Sequence, residues 1–343
     1  MSAEKLTLSR LIAVALMTLT GSAAFAQSSV QIYGRLNTSV EHQKVGGTSV
    51  TGLFNNNSRF GFIGSEDLGG GLRAGFALEA GFQSDTGAGM LADGGLSFGR
   101  KAQVYLSGKY GKVTMGRAGG SSYDFVADYG VLDQPNHDTG SISDPIYDFL
   151  IRATNAITYT SPNINGLTVV TSMSMHEKEA GTNNKNSYDV SANWGRGPIS
   201  LGAAYTKTGF NEQAGVRAHY SSGPFQIGAY YQRSDNGSGS MCNNAGKGCG
   251  TRNAARVTAM YTMGPSEFTA GFGWAGKWSD VASSSARQFT VGYNYNLSLR
   301  TKLYAAYTKI SNQDNVRYGY GFKNGVGYGQ DASTFVLGLR HAF

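Results

Sequence analysis

Phe289-Thr290-Val291-Gly292-Tyr293-Asn294-Tyr295-Asn296 alternates a large apolar or aromatic residue with a small or polar one. Strand side chains point alternately to opposite faces, so this octet has one greasy face and one hydrophilic face. Phe268, Ala270, Phe272 and Trp274 repeat the pattern against Thr269, Gly271, Gly273 and Ala275. Phe225, Ile227, Ala229 and Tyr231 do so against Gln226, Gly228, Tyr230 and Gln232.

Extended over the chain, this period predicts segments near 30–42, 57–66, 71–84, 97–109, 112–117, 151–160, 166–175 and 187–194. A second set falls near 198–206, 214–222, 224–233, 253–263, 265–275, 287–296, 300–311 and 332–343. Sixteen is an even number, and most segments approach the roughly 9–11 residues with which a tilted strand crosses a bilayer. Short connections, such as Asp67-Leu68-Gly69-Gly70, Gly195-Arg196-Gly197, Ser222-Gly223 and Met263-Gly264, alternate with long ones. The long ones are placed near 43–56, 85–96, 118–150, 176–186, 207–213, 234–252, 276–286 and 312–331. Short turns on one rim and long loops on the other mark a membrane barrel rather than a sandwich.

Composition agrees. Charged residues are 15% of 343, and 49 Gly, 20 Tyr and 17 Phe stand beside only 6 Pro. Disordered chains have the opposite balance. Lys5 and Arg10, the apolar run Leu11 to Leu19 and the small-x-small Ala24-Phe25-Ala26 read as an export signal, 1–26, ahead of a barrel at 27–343. Beyond residue 26 no run of apolar residues approaches the roughly 20 that a spanning helix needs. In hydrocarbon every strand N–H and C=O must find a partner, which requires closure. At sixteen strands the lumen is too wide for side chains to fill, so it holds water. The expected fold is an all-β, 16-stranded antiparallel transmembrane barrel.

The net charge of +7 falls to +6 without Glu4, Lys5 and Arg10. The bases are scattered singly, and no nucleic-acid motif gathers them. Cys242 and Cys249 are the two cysteines, and a loop disulfide is expected in an oxidising compartment. Such a bridge is expected to rigidify only a short surface loop. Gly319 to Gly329 has glycines like a phosphate loop but no Lys-Ser/Thr and no helix to open. His42, His137, His176, His219 and His341 show no ligand spacing, and nothing sets a Ser and a His at one depth on one wall. No cofactor, metal or catalytic residue is expected. The competing functional readings are a barrel lipid hydrolase and a substrate-selective channel with a saturable site.

Ser28-Ser29-Val30-Gln31-Ile32-Tyr33-Gly34 resembles the first strand of neisserial-type, betaproteobacterial general porins. Ser58 to Leu72, reading SRFGFIGSEDLGGGL, resembles their second strand and first turn, and is the most specific match. Leu106-Ser107-Gly108, Val113 to Arg117, Asn155 to Tyr159 and the closing Gly338 to Phe343 also match. The resemblance implies a homotrimeric general diffusion porin in the outer membrane of a Gram-negative bacterium, passing ions and small hydrophilic solutes. It also implies a third loop, 118–150, folded into the lumen. Ile63 departs from the family, which usually has a base there, and the third loop matches in length rather than in sequence.

Parity assigns the lumen charges. Ile32 and Leu36 outward put Arg35 inward; Phe60 and Phe62 outward put Arg59 inward; Phe76 and Leu78 outward put Glu79 inward; Ile157 and Tyr159 outward put Arg152 inward. For the fourth strand, parity favours Lys101 and the resemblance favours Arg100. The third loop has Asp124, Asp128, Asp133, Asp138, Asp144 and Asp148 and no base. If it lies inside, its carboxylates are expected to oppose this basic wall, leaving a weak anion preference. The last strand, with Phe335, Leu337, Leu339 and Phe343 on one parity, is expected to face hydrocarbon.

Overall fold

The computed structural model describes residues 29–128, 140–178, 185–235, 242–244 and 248–343. The expected export signal lies outside them. The strands are β1 (Ser29–Val45), β2 (Thr48–Asn55), β3 (Arg59–Gly69), β4 (Leu72–Gly81), β5 (Lys101–Gly108), β6 (Gly111–Gly119), β7 (Arg152–Thr160), β8 (Leu167–Ser174) and β9 (Ser187–Arg196). They continue with β10 (Ile199–Thr208), β11 (Asn211–Ser222), β12 (Phe225–Asp235), β13 (Thr251–Met263), β14 (Ser266–Ala275), β15 (Ala286–Asn296), β16 (Thr301–Asn312) and β17 (Ala332–Ala342).

All pairings are antiparallel, and β17 returns to β1, so the sheet closes. β2 and β3 both run against β1, with Thr38 opposite Asn55 and Arg35 opposite Arg59. They form one wall strand broken at Asn56–Ser58, where Asn57 takes φ 57°. The 17 segments therefore build a closed 16-strand antiparallel barrel. Among the described residues no helix is long and apolar enough to cross a membrane, which says nothing against crossing by strands.

Two expected long loops are corrected. Residues 43–56 are mostly strand, because Gly46 at φ +55 lets β1 turn directly into β2. Residues 207–213 are likewise a tight hairpin, turning at Gly209-Phe210 between β10 and β11. In both, a glycine with positive φ replaces a loop that the polar composition suggested.

The two faces separate as the alternation requires. Phe289 is 48% exposed while its neighbour Gln288 is fully buried; Leu337 is 52% exposed while Val336 is buried. Leaving such side chains in water forgoes roughly 1.5–3 kcal/mol each, so this outer surface suits hydrocarbon. At the seam, Gly34 and Phe343 exchange both backbone hydrogen bonds at 3.0 Å. The Phe343 ring lies where a Cβ on Gly34 would sit, so only glycine admits this cover.

The long-loop rim holds a compact apolar core. Cys242 and Cys249 are joined, and both are buried with Trp278, Val316, Tyr318 and Phe322. The bridge thus does more than tie a surface loop: three connections, after β12, β14 and β16, pack on one another around it.

Candidate functional site: the charged lumen

A cavity of about 910 Å³ lies on the polar face, between the wall of β3–β7 and the segment that joins β6 to β7. Arg59, Arg100, Lys101, Lys112 and Arg152 line it from the wall, with Glu79 among them. Asp124, Asp128 and Asp144 line it from the connecting segment.

The wall cluster is organised by Glu79. This carboxylate is nearly buried on β4, and its Cα partner on β5 is Lys101. Arg100 Nε donates to Glu79 Oε1 at 2.5 Å, Arg59 Nη1 stands 3.9 Å from the same oxygen, and Tyr33 OH donates to Oε2 at 2.8 Å. One acid therefore holds two guanidinium groups in fixed positions.

Both candidate bases before and on β5 line the cavity. Lys101 points inward as part of β5, and Arg100 reaches the lumen from just before the strand, its backbone N–H bonding Glu79 O at 3.1 Å. Arg35 requires a correction. It lies on the polar face but is buried and does not line this cavity; its Nη2 donates to Asn57 O at 3.4 Å. The strand break at Asn56–Ser58 places that carbonyl over β1. Asp133 and Asp138 lie outside the described residues.

The described ends of the connecting segment lie against polar-face atoms of the far wall. Near its start, Ser121 Oγ donates to Asp189 Oδ1 at 2.5 Å and Arg217 Nε donates to Phe125 O at 2.8 Å. A π-helical turn, Tyr123–Ala127, follows the first of these anchors and presents Asp124. Near its end, Asp144 takes Arg256 Nε at 2.7 Å and Nη2 at 2.8 Å, and Tyr230 OH at 2.7 Å. Ser143 O accepts from Gln288 Nε2 at 3.0 Å, and Ser141 Oγ donates to Glu41 Oε2 at 2.6 Å. Arg252 donates to Ile146 O at 2.7 Å while its guanidinium lies 4.8 Å from the Trp278 ring, linking this segment to the disulfide-centred core.

Asp144 thus pairs with Arg256 on the far wall rather than with the wall of Arg59, Arg100, Lys101 and Arg152. Arg217, Arg252 and Arg256 were not singled out, although outward Val216 and Val257 fix Arg217 and Arg256 inward. Asp124 behaves differently. Its side chain is reached by lumen water, yet the enclosing protein pushes its carboxyl up to about 6, against the pull of Arg152 and Lys101.

The comparisons with known proteins agree with this architecture. Residues 13–315 match the family described as Gram-negative porin. The chain is 32% identical to outer membrane porin protein 32 of Delftia acidovorans, over 97% of this chain and 99% of that one. It is 29% identical to the major outer membrane protein P.IB of Neisseria meningitidis, over 56% of this chain and 58% of that one. Among solved structures it resembles an anion-selective porin from Comamonas acidovorans, with TM-score 0.71 and 27% identity over 92% of this chain and 100% of that one. The trimer form of OmpT from Vibrio cholerae shares the fold, with TM-score 0.67 at 16% identity over 92% of this chain and 99% of that one.

Proposed function

Because the chain belongs to the Gram-negative porin family, we propose that its lumen passes small hydrophilic solutes and ions with a weak preference for anions. The protein is an outer-membrane diffusion porin, a channel rather than an enzyme. The preference rests on one observation. Among the described residues, five bases line the cavity against four acids, and one of those acids, Asp144, is committed to Arg256. Excess positive charge in a narrow aqueous passage raises the local concentration of anions. At ~4 Å and an effective dielectric of 20, each pair interacts by about 4 kcal/mol, falling to about 1 in bulk water. Fields of that size bias ions and orient dipoles without trapping a solute.

The segment between β6 and β7 is the constriction in this reading, with Asp124 and Asp128 facing Arg59, Arg100, Lys101 and Arg152 across the passage. Planar bilayer recording under a KCl gradient tests it. A reversal potential displaced toward the chloride equilibrium value is expected; displacement toward that of potassium rejects the anion preference. The saturable-site alternative predicts conductance that levels off with salt concentration rather than rising in proportion.

The working unit is a homotrimer. Phe60, Phe62, Phe82 and Phe98 form a chain of ring contacts, and Met90, Leu91 and Leu96 are exposed on the adjoining connection. Apolar side chains on a loop find cover against another copy. Closure in three equal steps is the expected signature. Residues 1–26 act as the export signal, which amino-terminal sequencing of the protein from outer membranes checks.

A further inference from the structure

We propose that the Cys242–Cys249 bridge is a redox control on the channel: its reduction by a small dithiol loosens the end of the β6–β7 segment from the wall and adds wider openings. This rests on the reading of that segment as the constriction. Within the stretch Asp144-Pro145-Ile146-Tyr147 the segment touches both the passage and the core around the bridge. Asp144 and Tyr147 line the lumen cavity, while Ile146 between them is sunk in the same apolar core as the two cysteines. A staple for one surface loop would share no core with the segment that narrows the channel.

The bridge clamps two connections. On one side, Cys242 pairs with Val316, Asn243 N–H donates to Asn315 O at 2.9 Å, and Tyr328 OH donates to Cys242 O at 3.2 Å, all in the connection after β16. On the other, Asp280 N–H, in the connection after β14, donates to Cys249 O at 3.3 Å. Each connection then supplies one ring to Arg252. The guanidinium lies 4.8 Å from the Trp278 ring and 5.4 Å from the Tyr318 ring. Tyr318 OH accepts from Arg252 Nη1, and from Trp278 Nε1 at 3.2 Å. Held in this frame, the buried Arg252 donates from Nη2 to Ile146 O at 2.7 Å.

A cation held between two rings depends on both rings staying in place. With the bridge intact, the connections after β14 and β16 are tied to each other. Once it breaks, each moves with its own hairpin, the rings part, and Arg252 loses the frame in which it meets Ile146 O. The chemistry is thiol–disulfide exchange. A thiolate of the dithiol attacks one sulfur, the Cys242–Cys249 bond breaks through a mixed disulfide, and the second thiol of the reagent displaces the remaining cysteine. Two cysteine thiols form, and the reagent gives up two electrons and closes to a cyclic disulfide. Both cysteines are buried, so exchange requires the core to open. Docking of the segment and persistence of the bridge therefore favour one another, by the reciprocity that holds for any two coupled equilibria.

The test uses the full chain in planar bilayers, with dithiothreitol as the reductant. Cys242 and Cys249 are the only cysteines in the sequence, so the dithiol exchanges nowhere else. Reduction is expected to raise the frequency of larger-conductance steps by about five- to fiftyfold, the ceiling being the whole chain-entropy effect of a separation of 7 residues. Cys242→Ser/Cys249→Ser should show the raised frequency without reductant and no response to it. In Arg252→Met, which removes the coupling cation, reduction should leave the frequency nearly unchanged. In the reverse direction, Asp144→Asn loosens the same segment at its other anchor. It should hold more of the bridge reduced at a fixed dithiol concentration, counted by thiol labelling. Equal bridge reduction in the parent and Asp144→Asn overturns the proposal. If Asp144→Asn adds larger steps and reduction does not, the redox control falls while the constriction stands. If neither adds them although Asp144→Asn changes bridge reduction, the segment does not narrow the passage and both readings fall. Should the serine variant fail to refold, dithiol added to parent channels already in the bilayer decides alone.

Discussion

Asp144→Asn isolates the far-wall anchor of the connecting segment. The carboxylate is 3% exposed and takes two bonds from Arg256, one from Tyr230 and one from the Ile146 N–H at 2.8 Å. Asn keeps the shape but leaves the buried Arg256 charge with only neutral partners such as Gln288. Breaking one side of a buried pair costs about 3–5 kcal/mol, a shift of roughly a hundredfold to several thousandfold in the docked equilibrium. The Ser143 O and Ile146 O contacts remain, each contributing about 0.5–3 kcal/mol. The segment therefore stays docked most of the time and opens more often. Single-channel recordings should show added open-channel noise with brief larger-conductance steps, and the heat-induced gel shift should move to lower temperature. Asp144→Leu combined with Arg256→Met removes both charges and should recover most of the stability, because neither is then left alone. An Asp144→Asn channel with parental noise and heat resistance, or a double variant weaker than the single one, would refute the anchoring role.

Lowering pH from 8 to 5 carries Asp124 through about 6, so its carboxylate gains a proton and the lumen loses a negative charge. Anion preference should rise across that window in reversal-potential measurements, and Asp124→Asn should flatten this part of the response. Arg152→Ala should lower the chloride-to-potassium permeability ratio; an unchanged ratio would remove Arg152 from the selective wall. Reducing Cys242–Cys249, which closes a separation of 7 residues, should destabilise the rim core by about 2–2.5 kcal/mol by chain entropy. Limited proteolysis would report it as faster cleavage in the connections after β12 and β14, and unchanged cleavage would count against the rim-core role.

Much of the barrel is readable because hydrocarbon outside and water inside impose period two on every strand. The segment at 287–296, for example, agrees closely with β15. Reading weakens where that constraint ends. Above the membrane β1, β2, β10 and β11 continue as polar hairpins, which in composition look like loops. The break at Asn56–Ser58 shifts the register by one residue and hides that β2 and β3 are one strand. Parity sets which way a charge on a strand points, and Arg59, Lys101 and Arg152 line the cavity. It does not say which distant charge a side chain meets. The Asp144–Arg256 pair depends on where the end of a long connection docks, and the turning of Arg35 toward Asn57 on the break between β2 and β3; local pattern holds no record of either.

The join between Gly34 and Phe343 sets the order of assembly. The first and last strands are the most widely separated partners in the chain, and loop-closure entropy must be met before their pairing returns anything. Until they meet, β1 and β17 each expose an unpaired edge capable of capturing another polypeptide. The cylinder must therefore be kept from strangers until β17 reaches β1, and the Phe343 ring seated on Gly34 acts as a latch at that join.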